Sequence, residues 1–281
     1  MEIVVGVDGG GSSTKALAAW TDGRLVGYGE SGPSNFHIVG LERAGEAVCE
    51  AVGRAMAQVG SAPVTYYLGL AGVGRPEDRE RLQAELVQRL ATAAVTVVTD
   101  AAIALAGGTV GQAGVVVIAG TGSIALGIDR QGRESRSGGW GYLVGDEGGG
   151  FDIGRQGIRA ALREVDGRGP ATSLTDCLLQ YLGLESREQI RQIVARVYQP
   201  ETGPPLIAGF SRLVTCEAGA GDRVALGIVK RAARELSLAA GAVLHQLELD
   251  REKSPVIMAG GIFDADPLLA REFVKRLQRT A

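Results

Sequence analysis

Two short glycine-rich turns carry the chemistry most open to reading in this chain. The first is Asp8-Gly9-Gly10-Gly11-Ser12-Ser13-Thr14, and the second is Gly120-Thr121-Gly122-Ser123. Each lies between apolar runs, and each can present consecutive backbone N–H groups to a phosphate, because missing Cβ atoms let the anion approach and hydroxyls add donors. Asp8 supplies a carboxylate suited to hold Mg²⁺ through water, and Lys15 either reaches phosphate or lies in solvent. Taken alone, each turn reads better as a structural hairpin; the pair reverses that balance. Neither fits G-x-x-x-x-G-K-[ST], and neither opens a helix as G-x-G-x-x-G does, so P-loop and dinucleotide readings are weak.

Asp100 ends the run Val95-Thr96-Val97-Val98-Thr99 and precedes an apolar helical start. A carboxylate at a strand's C-terminal end sits where ligands bind in α/β sheets, and it could take the proton of an attacking hydroxyl. A helix N-cap explains the same aspartate equally well. Gly138-Gly139-Trp140-Gly141-Tyr142, followed by Gly145-Asp146-Glu147-Gly148, mixes carboxylates with aromatic surface, the pairing a saccharide needs for its hydroxyls and ring faces. Asn35, in a polar-aromatic loop, either binds a hydroxyl or caps the following helix. His37 and His245 fit no hydrolase triad or metal motif, and His245 reads as packed within an apolar helix. Cys49, Cys177 and Cys216 lack CxxC spacing and read as small buried hydrophobes.

The elements that must position these residues follow from periodicity. Apolar runs at 3–7, 16–20 and 25–28 read as an antiparallel meander, followed by a helix at 41–58, a strand at 65–71, a helix at 76–90 and a strand at 95–99. Strands at 115–118 and 124–128 restart the same pattern around the second glycine turn, which points to an internal duplication. Helices are expected at 151–163, 174–182, 187–197 and 222–247, then a last strand at 256–258 ending in Ala259-Gly260-Gly261. Two domains result, 1–112 and 113–281, in line with a length of 281 residues. With 45% hydrophobic and 22% charged residues the chain is globular in composition, and its 43 glycines cluster at strand ends without period. A net charge of −3 gives no general reason to bind nucleic acid or an anionic membrane. The start lacks a signal sequence and no apolar stretch spans a bilayer, so a cytoplasmic protein is expected.

These residues together resemble the N-acetylglucosamine kinases, which belong with the benzoyl-CoA reductase activating ATPases to the actin and sugar-kinase superfamily. The motifs Asp8 to Lys15, Thr99-Asp100-Ala101-Ala102, Gly120 to Ser123, and the Gly-Trp-Gly and Gly-Asp-Glu-Gly pair carry the resemblance, which covers nearly the whole chain. It implies two duplicated RNase H-like α/β domains around a central cleft, ATP and Mg²⁺ as cofactors, and transfer of phosphate to the primary hydroxyl of an amino sugar. N-acetylglucosamine is the first expectation; glucosamine, glucose and N-acetylmuramate are alternatives. By position, Asp100 becomes the catalytic base and Asp8 the Mg²⁺ support; Gly10, Gly11, Ser12, Thr14, Lys15, Gly120, Thr121, Gly122 and Ser123 meet the phosphates. Asn35, Gly139, Trp140, Gly141, Asp146 and Glu147 line the sugar pocket, while Ala208, Gly260 and Gly261 flank the base and ribose. Two departures stand out. His37 occupies a position where a related pattern has Trp, and relatives continue past the last glycine turn, so the closing strand and helix are expected to be shortened or missing before Ala281. An activating ATPase would want cysteines placed to share an iron–sulfur cluster, against which the scattered thiols argue. A nucleotide-binding regulator is the third reading, and a homodimer is expected.

Overall fold

The first apolar run forms the expected strand in the structure, a computed structural model that describes residues 2–57, 59, 64–92, 94–265 and 267–279. In β1 (Ile3–Gly9), Ile3, Val5 and Val7 are buried while Gly6 and Asp8 face the opposite side, as the twofold period of a strand requires. β2 (Thr14–Trp20) and β3 (Leu25–Ser31) complete the antiparallel meander, with Asp8 opposite Lys15 across the β1–β2 ladder. A short helix, α1 (Phe36–Val39), precedes α2 (Leu41–Met56), whose apolar stripe Ala44, Val48, Ala51 and Val52 is buried. The expected end of that helix at Gln58 lies outside the described residues. β4 (Val64–Leu70) pairs parallel with β1, α3 (Pro76–Arg89) buries Leu82 and Leu86, and β5 (Val95–Thr99) pairs parallel with β4. The first sheet therefore runs β3-β2-β1-β4-β5, and α2 and α3 share one core with it.

α4 (Asp100–Thr109) leads to a second sheet. It is built from β6 (Gly114–Ala119), β7 (Ser123–Ile128), β8 (Glu134–Gly138) and β9 (Val256–Ala259), in the order β8-β7-β6-β9. Its pairing repeats that of the first sheet: an antiparallel meander, with the later strand parallel to the meander's first. Between β8 and β9 lie α5 (Gly150–Val165), α6 (Leu174–Leu182), a 3-10 turn at Arg187–Gln192 and α7 (Ile193–Val197). They are followed by α8 (Gly203–Gly209), α9 (Ser211–Ala220) and the 24-residue α10 (Arg223–Gln246). α10 is the spine of this core, burying Val229, Ala233, Leu236, Ala240 and Val243 with Val115 and Val117 of β6 and Ile153 of α5. Two helices follow β9, α11 (Gly261–Ala265) and α12 (Pro267–Arg279), the latter packed on α10.

The chain divides into two compact units, Met1–Gly107 and Gly108–Ala281, each with its own apolar core. Three expectations change. The helices α1, α8, α9, α11 and α12 were not foreseen. Cys216 is exposed on α9 rather than buried, while Cys49 and Cys177 are partly buried. His245 is exposed in the last turn of α10, because the apolar stripe there runs through Val243, Leu244 and Leu247 instead. No helix among the described residues is long and apolar enough to cross a membrane.

Candidate active site

In the first unit the glycine turn is closed by Gly10 N–H donating to Ser13 O at 3.0 Å. Gly10 O accepts in turn from Ser34 N at 3.0 Å and Asn35 N at 3.2 Å, which ties the turn to the loop before α1. Asn35 is the N-cap of α1, its Oδ1 accepting from His37 N at 3.1 Å, and a Cβ on Gly72 would meet that oxygen at 2.7 Å. His37 Nε2 lies 3.0 Å from Gly72 O and 3.4 Å from Asp78 Oδ2. Thr14 is fully buried, and its hydroxyl donates to Gly32 O at 2.7 Å, so it braces the turn from inside. Gly11, Ser12 and Lys15 are exposed.

Asp100 opens α4 directly from the end of β5. One of its oxygens, Oδ1, accepts from Ala101 N at 2.9 Å, while the next N–H, that of Ala102, is capped by Thr99 Oγ1 at 3.2 Å. Burial pushes the carboxyl pKa up against the Ala101 hydrogen bond, and the charge of Asp8 raises it further. That proximity has a structural cause. Asp8 sits beside Gly69 in the β1–β4 register, and a Cβ on Gly69 would overlap Ile103 of α4. The missing side chain lets α4 lie close on the sheet, which brings its first residue toward Asp8.

In the second unit several predicted segments interlock. Gly120 N donates to Gly122 O at 2.9 Å, closing the second turn. Gly120 O and Thr121 O accept from Gly150 N and Phe151 N, the start of α5, at 2.7 and 2.9 Å. Ser123 is buried and donates to Glu147 O at 2.8 Å, while Gly139 N donates to Ser123 O at 3.0 Å. Residues 139–149 are irregular, as expected, and cross back over the turn. Asp146, at φ 58°, aims its carboxylate at Gly122, where an added Cβ would strike it, and its Oδ1 accepts from Gly141 N at 3.0 Å. Burial raises the Asp146 pKa, opposed by the Gly141 N–H and assisted by the neighbouring charge of Glu147. Trp140 is 66% exposed, its ring under the guanidinium of Arg136 at 4.6 Å, so an open aromatic face stands at the edge of this segment. Glu147 and Thr121 are exposed. Ala208 is tied in through Ser211, whose buried hydroxyl donates to Ala208 O at 2.6 Å and lies beside Gly150. Gly260, at φ 99°, packs against the backbone of Ala119 just before the second turn, and Gly261 opens α11.

One residue was missed by sequence reasoning. Asp152, buried in the first turn of α5, accepts from Gly148 N at 3.2 Å, from Gln156 Nε2 at 2.8 Å and from Arg155 at 2.9 Å. It anchors the Gly-Asp-Glu-Gly segment to the helix. The available signal was an acid within the first turn after a run of glycines.

The two mixed α/β sheets, each with a glycine turn after its first strand, place the chain in the class of actin-like, sugar-kinase-type ATPases. A solved structure from Chromobacterium violaceum, described as a candidate N-acetylglucosamine kinase, superposes with a TM-score of 0.77 at 26% identity, covering 99% of this chain and 93% of its own. Residues 5–279 match the model of the BadF/BadG/BcrA/BcrD ATPase family, and the chain belongs to that family. It is 36% identical to the N-acetylmuramic acid/N-acetylglucosamine kinase of Clostridium acetobutylicum, over 99% of this chain and 90% of that protein. It is 34% identical to the N-acetyl-D-glucosamine kinase of Dictyostelium discoideum, over 98% and 90% respectively.

Proposed function

We propose that this protein is an ATP-dependent kinase that phosphorylates the primary hydroxyl of an amino sugar, with N-acetylglucosamine as the first substrate and its 6-phosphate as product. The observation that carries the reading is Asp100: a partly desolvated carboxylate at a strand's C-terminal end, beside a second carboxylate, in a chain 36% identical to an amino-sugar kinase. Thr99 supplies the cap to Ala102, which leaves Asp100 available to accept the proton of the attacking hydroxyl. Its raised pKa makes it the stronger base in its ionised form.

The glycine turns, with the exposed hydroxyls of Ser12 and Thr121, donate to the phosphates of ATP, and Lys15 adds a cation. Thr14 and Ser123 act from behind, holding the two turns in shape. Asp8, exposed at the end of β1, fits Mg²⁺ in the way that ion is commonly held, by one or two carboxylates together with waters and phosphate oxygens. Once there, the ion would neutralise charge developing on the transferred phosphoryl group. Asn35, the Trp140 face, the backbones of Gly139 and Gly141, and the carboxylates of Asp146 and Glu147 take the sugar. Ala208, Gly260 and Gly261 flank the base and ribose.

The repeated strand order supports two RNase H-like domains derived by duplication, which we place at 1–112 and 113–281. We further propose that the protein works as a cytoplasmic homodimer. N-acetylmuramate is the second substrate to test, because the Clostridium relative is named for both sugars. A panel of sugars assayed for ADP release, with and without Mg²⁺, decides the reading. N-acetylglucosamine should raise the rate above the water background; full ATPase activity in water that no sugar increases would rule out the kinase.

A further inference from the structure

The packing of α12 on α10 brings together charges that helix stability does not call for. Lys230 and Arg234 stand four residues apart on α10, and Lys275 and Arg279 stand four apart on α12. Like charges at that spacing are neighbours on a helix surface and repel. Both pairs, with Arg276, line one groove of about 310 Å³ between the two helices. Glu272 is the one carboxylate among the described residues that line it, and Arg234 pairs with its sequence neighbour Glu235 at 3.4 Å. Lys230, Lys275 and Arg279 make no ion pair among the described residues. The C-terminal dipole of α12 accounts for Arg276 and Arg279 in its last turn. It does not account for Lys275, nor for Lys230 and Arg234 in the body of α10.

The groove is distinct from the candidate active site. Leu236 of α10 packs toward Gly148 of the sugar segment, whereas Arg234 and Leu238, two residues to either side, project about 200° around the helix. Leu238 and the alkyl stems of the long cationic side chains give the groove an apolar floor under a ring of charge. That combination suits a compact ligand with a carbon body and a concentrated anionic head. A polynucleotide or a membrane would want an extended basic face, which a single small groove does not supply.

We propose that this groove binds a phosphate monoester of a small metabolite, of about sugar-phosphate size, at a site separate from catalysis. The guanidinium of Arg279 and the ammonium groups of Lys230 and Lys275 would take the phosphate oxygens, and Leu238 would lie against the carbon skeleton.

The test is calorimetric titration of the full chain with ribose 5-phosphate and, separately, with inorganic phosphate. Ribose 5-phosphate should bind more tightly than inorganic phosphate and weaken as salt rises. Lys275→Glu with Arg279→Glu should weaken it roughly 10–100-fold, the worth of a lost charge-assisted hydrogen bond, while ADP release stays unchanged. Should charge reversal unfold the protein, Lys230→Gln with Lys275→Gln asks the same question with neutral side chains. No binding to the wild type, or equal binding to wild type and variants, overturns the proposal. So does preferential binding of an oligonucleotide or of phosphatidylserine vesicles. Because the readout is binding, it stands or falls independently of whether the protein is a sugar kinase.

Discussion

As the base we propose, Asp100 meets two demands at once: its carboxylate is desolvated enough to bind a proton more tightly, yet one oxygen is still pinned by Ala101 N–H. Asp100→Asn should therefore leave ATP binding intact and lower kcat by roughly 10²–10⁴, the usual worth of a positioned base; near-normal turnover would reduce the residue to a helix start. The same burial has a thermodynamic sign. The native fold holds the proton more tightly than the unfolded chain, so this group's stabilisation is present below the ordinary aspartate range and is lost as pH rises through its raised value. Thermal melts of wild type and Asp100→Asn, compared from acidic to neutral pH, should show the wild type losing ground to the variant as pH rises, and parallel curves would contradict that. Gly120 and Gly122 differ in a way that the sequence alone does not show. A Cβ on Gly120 enters open space, whereas one on Gly122 strikes the Asp146 carboxylate. Gly122→Ala should raise the sugar's KM by about 10-fold or more, through loss of a hydrogen bond to a charged group, with a smaller change in ATP affinity. Gly120→Ala should show the opposite bias. Equal effects of both variants on both ligands would show that the turn does not divide its work in this way.

At the scale of elements, the ends of helices do much of the positioning. Asp222 caps α10 by accepting from Val224 N and Ala225 N, each at 2.8 Å, and also holds Thr172 and Ser173 of the segment before α6. Burial works against its ionised form, but the N–H groups of Ala225 and Ser173 and the hydroxyls of Thr172 and Ser173 prevail and hold its pKa down. Asp222→Ala should cost about 1–3 kcal/mol in denaturant unfolding, and the difference from wild type should shrink as pH falls through the depressed pKa. A loss that does not change with pH would mean that the cap acts through packing alone. Much of this layer was legible in the sequence, for local reasons. The short β-branched apolar run from Ile3 to Val7 gave β1, and Asp222 before a 3.6-period apolar stripe gave α10 almost to its ends. The helix α8 was hidden because Gly203-Pro204-Pro205 reads as a breaker, although proline is tolerated in a helix's first turn. The helix α12 went unread because its buried anchors are as sparse as Leu269 and Phe273. Candidate motif residues could be picked out by type and spacing, but the approach of Asp8 to Asp100 depends on strand order and on the bare backbone of Gly69, neither of which spacing records.

The molecule as a whole is two units whose apolar cores share no residue. Leu68 and Leu236 are each essentially fully buried, one in either core, so Leu68→Ala and Leu236→Ala should each cost about 2–5 kcal/mol. The double variant should equal their sum within about 0.5 kcal/mol, and a clearly larger discrepancy would reveal coupling between the cores. Asp146 ties the whole molecule's stability to the sugar-binding role we propose for it. Its backbone is left-handed, a conformation that disfavours most side chains, and its carboxylate is both partly desolvated and set against Glu147. Asparagine tolerates that backbone, keeps an acceptor for Gly141 N–H and carries no charge. Asp146→Asn should consequently melt higher than the wild type at neutral pH while its kcat/KM for the sugar falls, and a lower melting temperature would argue against the reading. Selection for thermostability alone would remove this aspartate, so a library screened only for heat resistance should lose activity at this position first.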